Sequence, residues 1–441
     1  MSTEHNTITA ADEVAKICQE LLRFDTSNFG NNEGPGERKA AEYVMELLTE
    51  VGLDPQYFES APGRANVVVR LEGSDPSRDA LVLHGHLDVV PAQADEWSVD
   101  PFAGELIDGM LWGRGAVDMK DMVAMMLAVV RQMVREGRKP ARDVIVAFFA
   151  DEEAGGEYGA HYAVKNMREI FDGATEAISE VGGYSTMING QRAYLLQTAE
   201  KSLSWLRLIA EGRAGHGSQV AEDNAVTKVA AAIARIGQHK WPYQTTPTVD
   251  ALLRGVSEMT GLPYEPENPE LIDALIDAMG PAARFVGATV RNSTNPTQLA
   301  AGYKANVIPR VAEGVIDARF LPGYEAEGRA TLNELAGPDV RIEPIHVAPA
   351  LEVPFSGTLV DKMSAAVLAE DPGAKVLPYM LSGGTDNKSL SVLGIAGYGF
   401  APLQLPADMD FPAMFHGVDE RVPVSALFFG VKVLDRLLAN A

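Results

Sequence analysis

Residues 143–150, DVIVAFFA, form an apolar run that ends in Asp151, Glu152 and Glu153. A run this short and this apolar reads as a strand buried on both faces, the pattern of an interior parallel strand. Such a strand needs parallel neighbours and helices on both sides of its sheet. Residues 81–92, LVLHGHLDVVPA, supply one neighbour: Leu81, Val82 and Leu83 lead into His84, Gly85, His86 and Asp88. A third strand near Ala177–Ser179 runs into Glu180. Open α/β sheets bind ligands beyond the carboxyl ends of their strands, so polar residues stand here where chemistry is usually done. Asp88, two residues from His86, can fix that imidazole's orientation for metal binding.

The remaining elements fit this frame. Residues 9–23 place Val14, Ile17, Cys18, Leu21 and Leu22 on one helical face, with Thr9 as N-cap. A second amphipathic helix covers about 37–52. Strands follow at 55–59, 65–72 and 80–84, and Asp108-Gly109 marks a hairpin within 103–114. Asp118 opens a Met- and Val-rich helix over 119–137, read as core.

After residue 198 the pattern changes. Strands at 202–211, 298–309, 311–320 and 340–347 and helices at 224–238 and 325–336 give the order β-α-β-β-α-β, a ferredoxin-like unit. Residues 240–297, with several Pro and one helical piece near 270–279, read as an irregular insertion. The expected architecture is therefore a doubly wound α/β domain with a mixed sheet, residues 1–198 plus 348–441, carrying an inserted α+β domain at 199–347. A length of 441 residues agrees with two domains.

Composition excludes some functions. A formal charge of −24 opposes binding to nucleic acid or anionic membranes. The single cysteine, Cys18, rules out an internal disulfide framework and reads as a core thiol. The polar, acidic start shows no secretory signal, and no apolar run reaches the roughly 20 residues of a spanning helix. A cytoplasmic protein is expected.

His86, Asp88, Asp118, Glu152, Glu153 and Glu180 collect at or near strand ends, and His416 lies in FHGVDERV near the end of the chain. Imidazole with carboxylate suits zinc and similar first-row divalent ions. A calcium or magnesium site would be expected to lack the histidines.

With these motifs in order, the chain resembles the co-catalytic zinc metallohydrolase family of glutamate carboxypeptidase, aminoacylase, carboxypeptidase S, acetylornithine deacetylase and succinyl-diaminopimelate desuccinylase. The matching stretches are GHLDVVP (85–91), WGRGAVDMKD (112–121), FADEEAGG (149–156), SEVGG (179–183), GRAGHGS (212–218), NVIP (306–309), DARFLPG (317–323), SGGTD (382–386) and HGVDERV (416–422). The resemblance implies a zinc-exopeptidase-like catalytic domain and a lid that also dimerises. It implies two divalent metals, zinc first, with cobalt or manganese as alternatives. His86 and Glu180 would hold one metal, Glu153 and His416 the other, and Asp118 would bridge them. Asp88 would orient His86, and Glu152 would act as general base and acid. The Asp118–Met119 peptide would be cis.

By the same resemblance, His216 would reach a partner subunit's site in a homodimer and bind the substrate carbonyl. Asn306, Arg319, Gly383 and Gly384 would hold the rest of the substrate, a small peptide or N-acyl amino acid. His84, His161, His239 and His346 are left as structural or exposed. Asp121, Val181 and the segment 219–222 depart from the family pattern. Deacylation and dipeptide cleavage both stay open. A non-catalytic peptide- or metal-binding protein should have lost a ligand or Glu152. A phosphoesterase should carry more cations than Arg114, Lys120, Arg213, Arg319 and Arg421 in these motifs.

Overall fold

The structure, a computed structural model, describes residues 8–441. Most of the N-terminal segment read as lacking a leader, residues 1–7, lies outside the described residues. The helix Ala10–Leu22 starts at Thr9, whose hydroxyl and amide both engage Asp12 in a capping box.

The main body is built on a mixed 10-stranded sheet. Its edge is the hairpin Gln56–Ala61 and Arg64–Leu71, which pairs antiparallel with Val144–Phe149. Val144–Phe149, Ala80–His86, Ala174–Ser179 and Ala396–Gly399 then run parallel, side by side. Gln191–Glu200 continues the sheet and pairs parallel with Lys375–Leu381. The two inner strands are buried at every residue, as continuous apolar runs require. The helix Lys120–Arg135 has thirteen of its sixteen residues buried, so its Met, Val and Ala residues fill the core. Cys18 is buried in the same core, and burial raises its thiol far above the usual range.

Three adjacent parallel strands end on the same edge of the sheet. His86 closes one, Glu152 and Glu153 follow the second, and Glu180 follows the third. The hairpin Glu105–Ile107 and Met110–Trp112 turns at Asp108 and Gly109, both with positive φ. Arg421–Pro423 adds a third strand to it, which carries the segment around His416 to the same edge.

A separate four-stranded antiparallel sheet contains Leu203–Glu211, Ser293–Ala301, Val311–Arg319 and Val340–Ala348. Helices Ala225–Gln238 and Glu325–Ala336 cover one face and share a hydrophobic cluster of their own with it, including Leu208, Val229, Ile316 and Leu332. Numbered in chain order, the four strands lie second, third, first and fourth across this sheet.

Residues 240–297 differ from their reading as an irregular insertion. They fold into helices Pro247–Thr260, Pro269–Asp277 and Ala283–Val286, and the strand Ser293–Ala301 already begins within them. Val249, Leu252, Ile272 and Leu275 join the core of the main body. Gly255 lies against Leu377 so closely that a Cβ would meet it at 2.4 Å. The inserted helices therefore pack on the large sheet, although they are strung between elements of the small one.

Candidate metal centre

His86 Nε2 lies 3.2 Å from Asp118 Oδ1 and 3.5 Å from Glu180 Oε2. His416 Nε2 lies 3.2 Å from Asp118 Oδ2 and 3.1 Å from Glu153 Oε2. Each triad brings its ligand atoms within 4.8 Å of one another, and Asp118 belongs to both, one oxygen to each. The Asp118–Met119 peptide is cis.

A network beneath the site explains its shape. The Asp88 carboxylate accepts the amides of Glu152 and Glu153, both at 3.1 Å, and Asn28 Nδ2 at 2.9 Å. The carbonyl of Asp88 is 2.9 Å from His86 Nδ1, nearer than its carboxylate at 3.5 Å. Asp88 thus orients the imidazole and also fixes the loop bearing both glutamates. Asn28 is held in turn by Arg64, which pairs with Glu37 at 2.6 Å where both side chains are excluded from water. Sequence reasoning reached Asp88 but not Asn28 or Arg64, which carry no ligand pattern.

Glu420, also missed, supports the other side. Its carboxylate accepts Arg114 Nη1 at 2.7 Å and the amides of Gly115, Val117 and Asp118 at 3.0, 2.7 and 3.2 Å. Those bonds aim the backbone that presents Asp118. The available signal was its place in HGVDERV, four residues after His416.

Electrostatics test whether cations fit. Burial, joined by the charge of Asp118 against the pull of His86, pushes Glu180 up to about 8. Burial and the charge of Glu180 push Glu152 well above the usual carboxylate range. Hydrogen bonds to Asp118 and Glu153 raise His416 to about 10. Burial opposes it, but hydrogen bonds from His416 and His86 keep Asp118 well below its ordinary value. The imidazolium protons here balance a crowd of carboxylates, the place a divalent cation would take. Glu153 Oε1 is buried with no hydrogen-bond partner. A nitrogen-and-oxygen donor set with such an orphan fits two first-row divalent ions.

The centre opens into a cleft of about 590 Å³ between the two sheets. Glu152, Glu153 and His416 form its floor, and Arg319, Gly383 and Gly384 line it. Arg319 is bidentate to Asp317, at 2.6 and 3.0 Å. His216 and Asn306 are not among the lining residues. They lie together at a separate two-stranded pairing, where Gly215–His216 runs antiparallel to Val307–Ile308, and both are exposed. Ser218 engages His216 Nδ1 at 2.8 Å, so Nε2 is the atom the ring can offer.

Other residues enter that sequence reading left aside. His161 and His346 line the cleft, and His346 packs against Trp205 with centroids 5.5 Å apart. Asp386 also lines it, with Oδ2 buried and unpartnered, and burial pushes its carboxyl up to about 8. His84 is a buried scaffold residue 3.0 Å from Asn387, and burial lowers it to about 4. His239 stacks edge-on against Trp241.

A mixed α/β sheet with histidines and carboxylates gathered on its carboxyl edge defines a metallohydrolase of amide or peptide bonds. The chain belongs to peptidase family M20/M25/M40, whose family model matches residues 82–440. It is 25% identical to N-fatty-acyl-amino acid synthase/hydrolase PM20D1 of Xenopus tropicalis, covering 97% of this chain and 86% of that one. It is 26% identical to Aminoacylase-1 of Homo sapiens, covering 92% and 90%. Its fold is similar to the M20 family metallo-carboxypeptidase Sso-CP2 of Sulfolobus solfataricus, with TM-score 0.71, 16% identity and coverage of 97% and 99%. No helix of the described residues is long and apolar enough to cross a membrane.

Proposed function

We propose that this chain hydrolyses the amide bond of an N-acyl amino acid that keeps a free carboxylate. The observation that carries the reading is Asp118 shared between two ligand triads beside Glu152, on the floor of a cleft whose wall bears Arg319. His86, Glu180 and Asp118 would hold one ion, and Asp118, Glu153 and His416 the other, with zinc ahead of cobalt or manganese. Such ions supply Lewis acidity at a carbonyl and lower the pKa of water from 15.7 to roughly 7.

The chain's residues do the rest. Glu152, raised by burial, takes a proton from the attacking water and returns it to the leaving amine. Arg319 offers donors beyond the two that Asp317 occupies, suited to a substrate carboxylate. The backbone of Gly383 and Gly384 can approach the same group. His216 and Asn306, exposed at the two-stranded pairing of 215–216 with 307–308, would serve the site of a second copy, with the small sheet acting as lid and dimerisation unit. The catalytic unit would be residues 1–198 and 348–441 with the inserted helices added to it. A cytoplasmic location agrees with the chain's composition.

Deacylation is favoured over cleavage of a polar dipeptide by the cleft walls. Leu203, Trp205, Ile345, Val347 and Val392 line it, and Val392 is 68% exposed. Exposed apolar side chains around a cleft point to an apolar ligand group. The names of the aminoacylase and fatty-acyl relatives agree. The test is a panel of N-acyl amino acids and dipeptides assayed after chelation and after return of zinc, cobalt or manganese. Chelator-sensitive turnover with preference for apolar acyl groups is expected. Absence of turnover on every member would overturn the proposal.

A further inference from the structure

The chain passes between the large and small sheets at Lys201–Ser202 and again at Pro349–Ala350. The inserted helices add two more passages, at 239–246 and 287–292. A lid tied at four places can shift only if its ties shift together. Two buried lysines stand at these ties. Lys388 Nζ donates to the carbonyls of Lys201 and Pro349, both at 2.8 Å, and lies 3.2 Å from Glu200 Oε2. An ammonium has three donors, so each has a partner. Glu200 is fully buried and also accepts the amide and hydroxyl of Thr385, at 3.1 and 2.7 Å. The lysine stem packs under Gly384, where an added Cβ would lie 2.4 Å from Lys388 Cε. Lys201 Nζ reaches the fourth passage, donating to Ala288 O, Arg291 O and Ser293 Oγ at 3.0, 2.8 and 3.2 Å. None of these groups belongs to the ligand triads.

We propose that Lys388 is a positioning residue that locks both strand passages of the lid to the glycine loop at 382–386. The lid's setting and the backbone facing the substrate are thereby fixed as one unit. Lysine suits the task because one flexible stem brings three donors to acceptors on different segments. Methionine has similar length and no donors, and it would leave two carbonyls and Glu200 without their partner. Arginine keeps the charge, but its planar fork is a poor match to three acceptors around a point.

The experiment compares wild type, Lys388→Met and Lys388→Arg in the full-length, metal-loaded protein. Spin labels at Arg341→Cys on the small sheet and Lys139→Cys on the large body report their separation, and buried Cys18 does not compete. For Lys388→Met, KM for an N-acyl amino acid rises about tenfold or more while kcat stays within about threefold. Metal stoichiometry is unchanged, the distance distribution broadens, and Lys388→Arg lies between. Wild-type KM with an unaltered distribution would overturn the proposal, as would a loss confined to kcat. If Lys388→Met does not fold, Lys388→Gln, which cannot serve all three acceptors, carries the same expected and overturning results. The kinetic arm rests on the amidohydrolase reading. If wild type hydrolyses nothing, that reading fails, and the distance distributions alone decide the role of Lys388.

Discussion

The two ends of the cleft are built differently. The metal end is assembled within one chain from five separate segments, and its ligands are held by Asp88, Asn28 and Glu420. The small-sheet end lines the cleft mainly with apolar side chains and contributes Arg319 and His346, while His216 and Asn306 stand exposed at a separate two-stranded pairing. The contrast teaches that chemistry and substrate capture have separate structural requirements. Ligand atoms packed within a few ångströms need close support from beneath, whereas a substrate cleft needs walls of matching chemistry.

The sharpest challenge to this contrast is Glu152→Gln. Loss of acid–base work lowers kcat by about 10²–10⁴-fold. Metal content should stay at the wild-type value, because Glu152 is in neither triad. Turnover close to wild type would remove Glu152 from the mechanism.

The lid end is tested by His216→Ala, expected to lower kcat by about 10²–10³-fold if the ring stabilises the oxyanion. Coexpressing His216→Ala with Glu152→Gln then distinguishes the two ends. Mixed dimers carry one intact site in two, so activity recovers to about a quarter of wild type if His216 acts across the dimer. No recovery would place it in its own chain's site.

A smaller effect probes the support under the metal end. Glu420→Gln leaves Arg114 buried without its charged partner, which costs about 3–5 kcal/mol. Chemical denaturation should report this, and zinc affinity should weaken through Asp118. Unchanged stability would show that the loop at 114–118 is held by other contacts.

A pH-dependent effect on stability concerns Asp121. Burial, opposed by the Met122 amide, pushes its carboxyl up to about 8. The unfolded chain ionises near 3.8, so the native state binds more protons between about pH 4 and 8. This contribution to stability is present below the unfolded value and is lost as pH rises through 8. Asp121→Asn should therefore match wild type near pH 4 and exceed it increasingly toward pH 8. A constant difference across that range would contradict the assignment.

The contrast also explains what could be read from the sequence. Short apolar strands running into polar residues report both the sheet and the edge on which the ligands gather, because strand burial and strand direction are local. Glu420 and Lys388 act largely through backbone groups and Asn28 through the Asp88 carboxylate, all brought together by folding, and no spacing announces such contacts. Within 240–297 the helical piece expected near 270–279 is the helix Pro269–Asp277, whereas the helices Pro247–Thr260 and Ala283–Val286 lie where the sequence reads as irregular chain. Both prolines sit at helix starts, where the missing N–H costs nothing, behind Thr246 and Asn268 as caps. The strand Lys375–Leu381 was missed for a related reason. It tolerates Pro378 because, among the described residues, it pairs on one side only.

The most direct measurement is activity on an N-acyl amino acid during zinc titration of the chelated protein. The account predicts no turnover without metal, a rise with added zinc, and a plateau at two equivalents per chain, with Asp118→Asn inactive throughout. Full activity in the chelated protein, or a plateau at one equivalent, would contradict it.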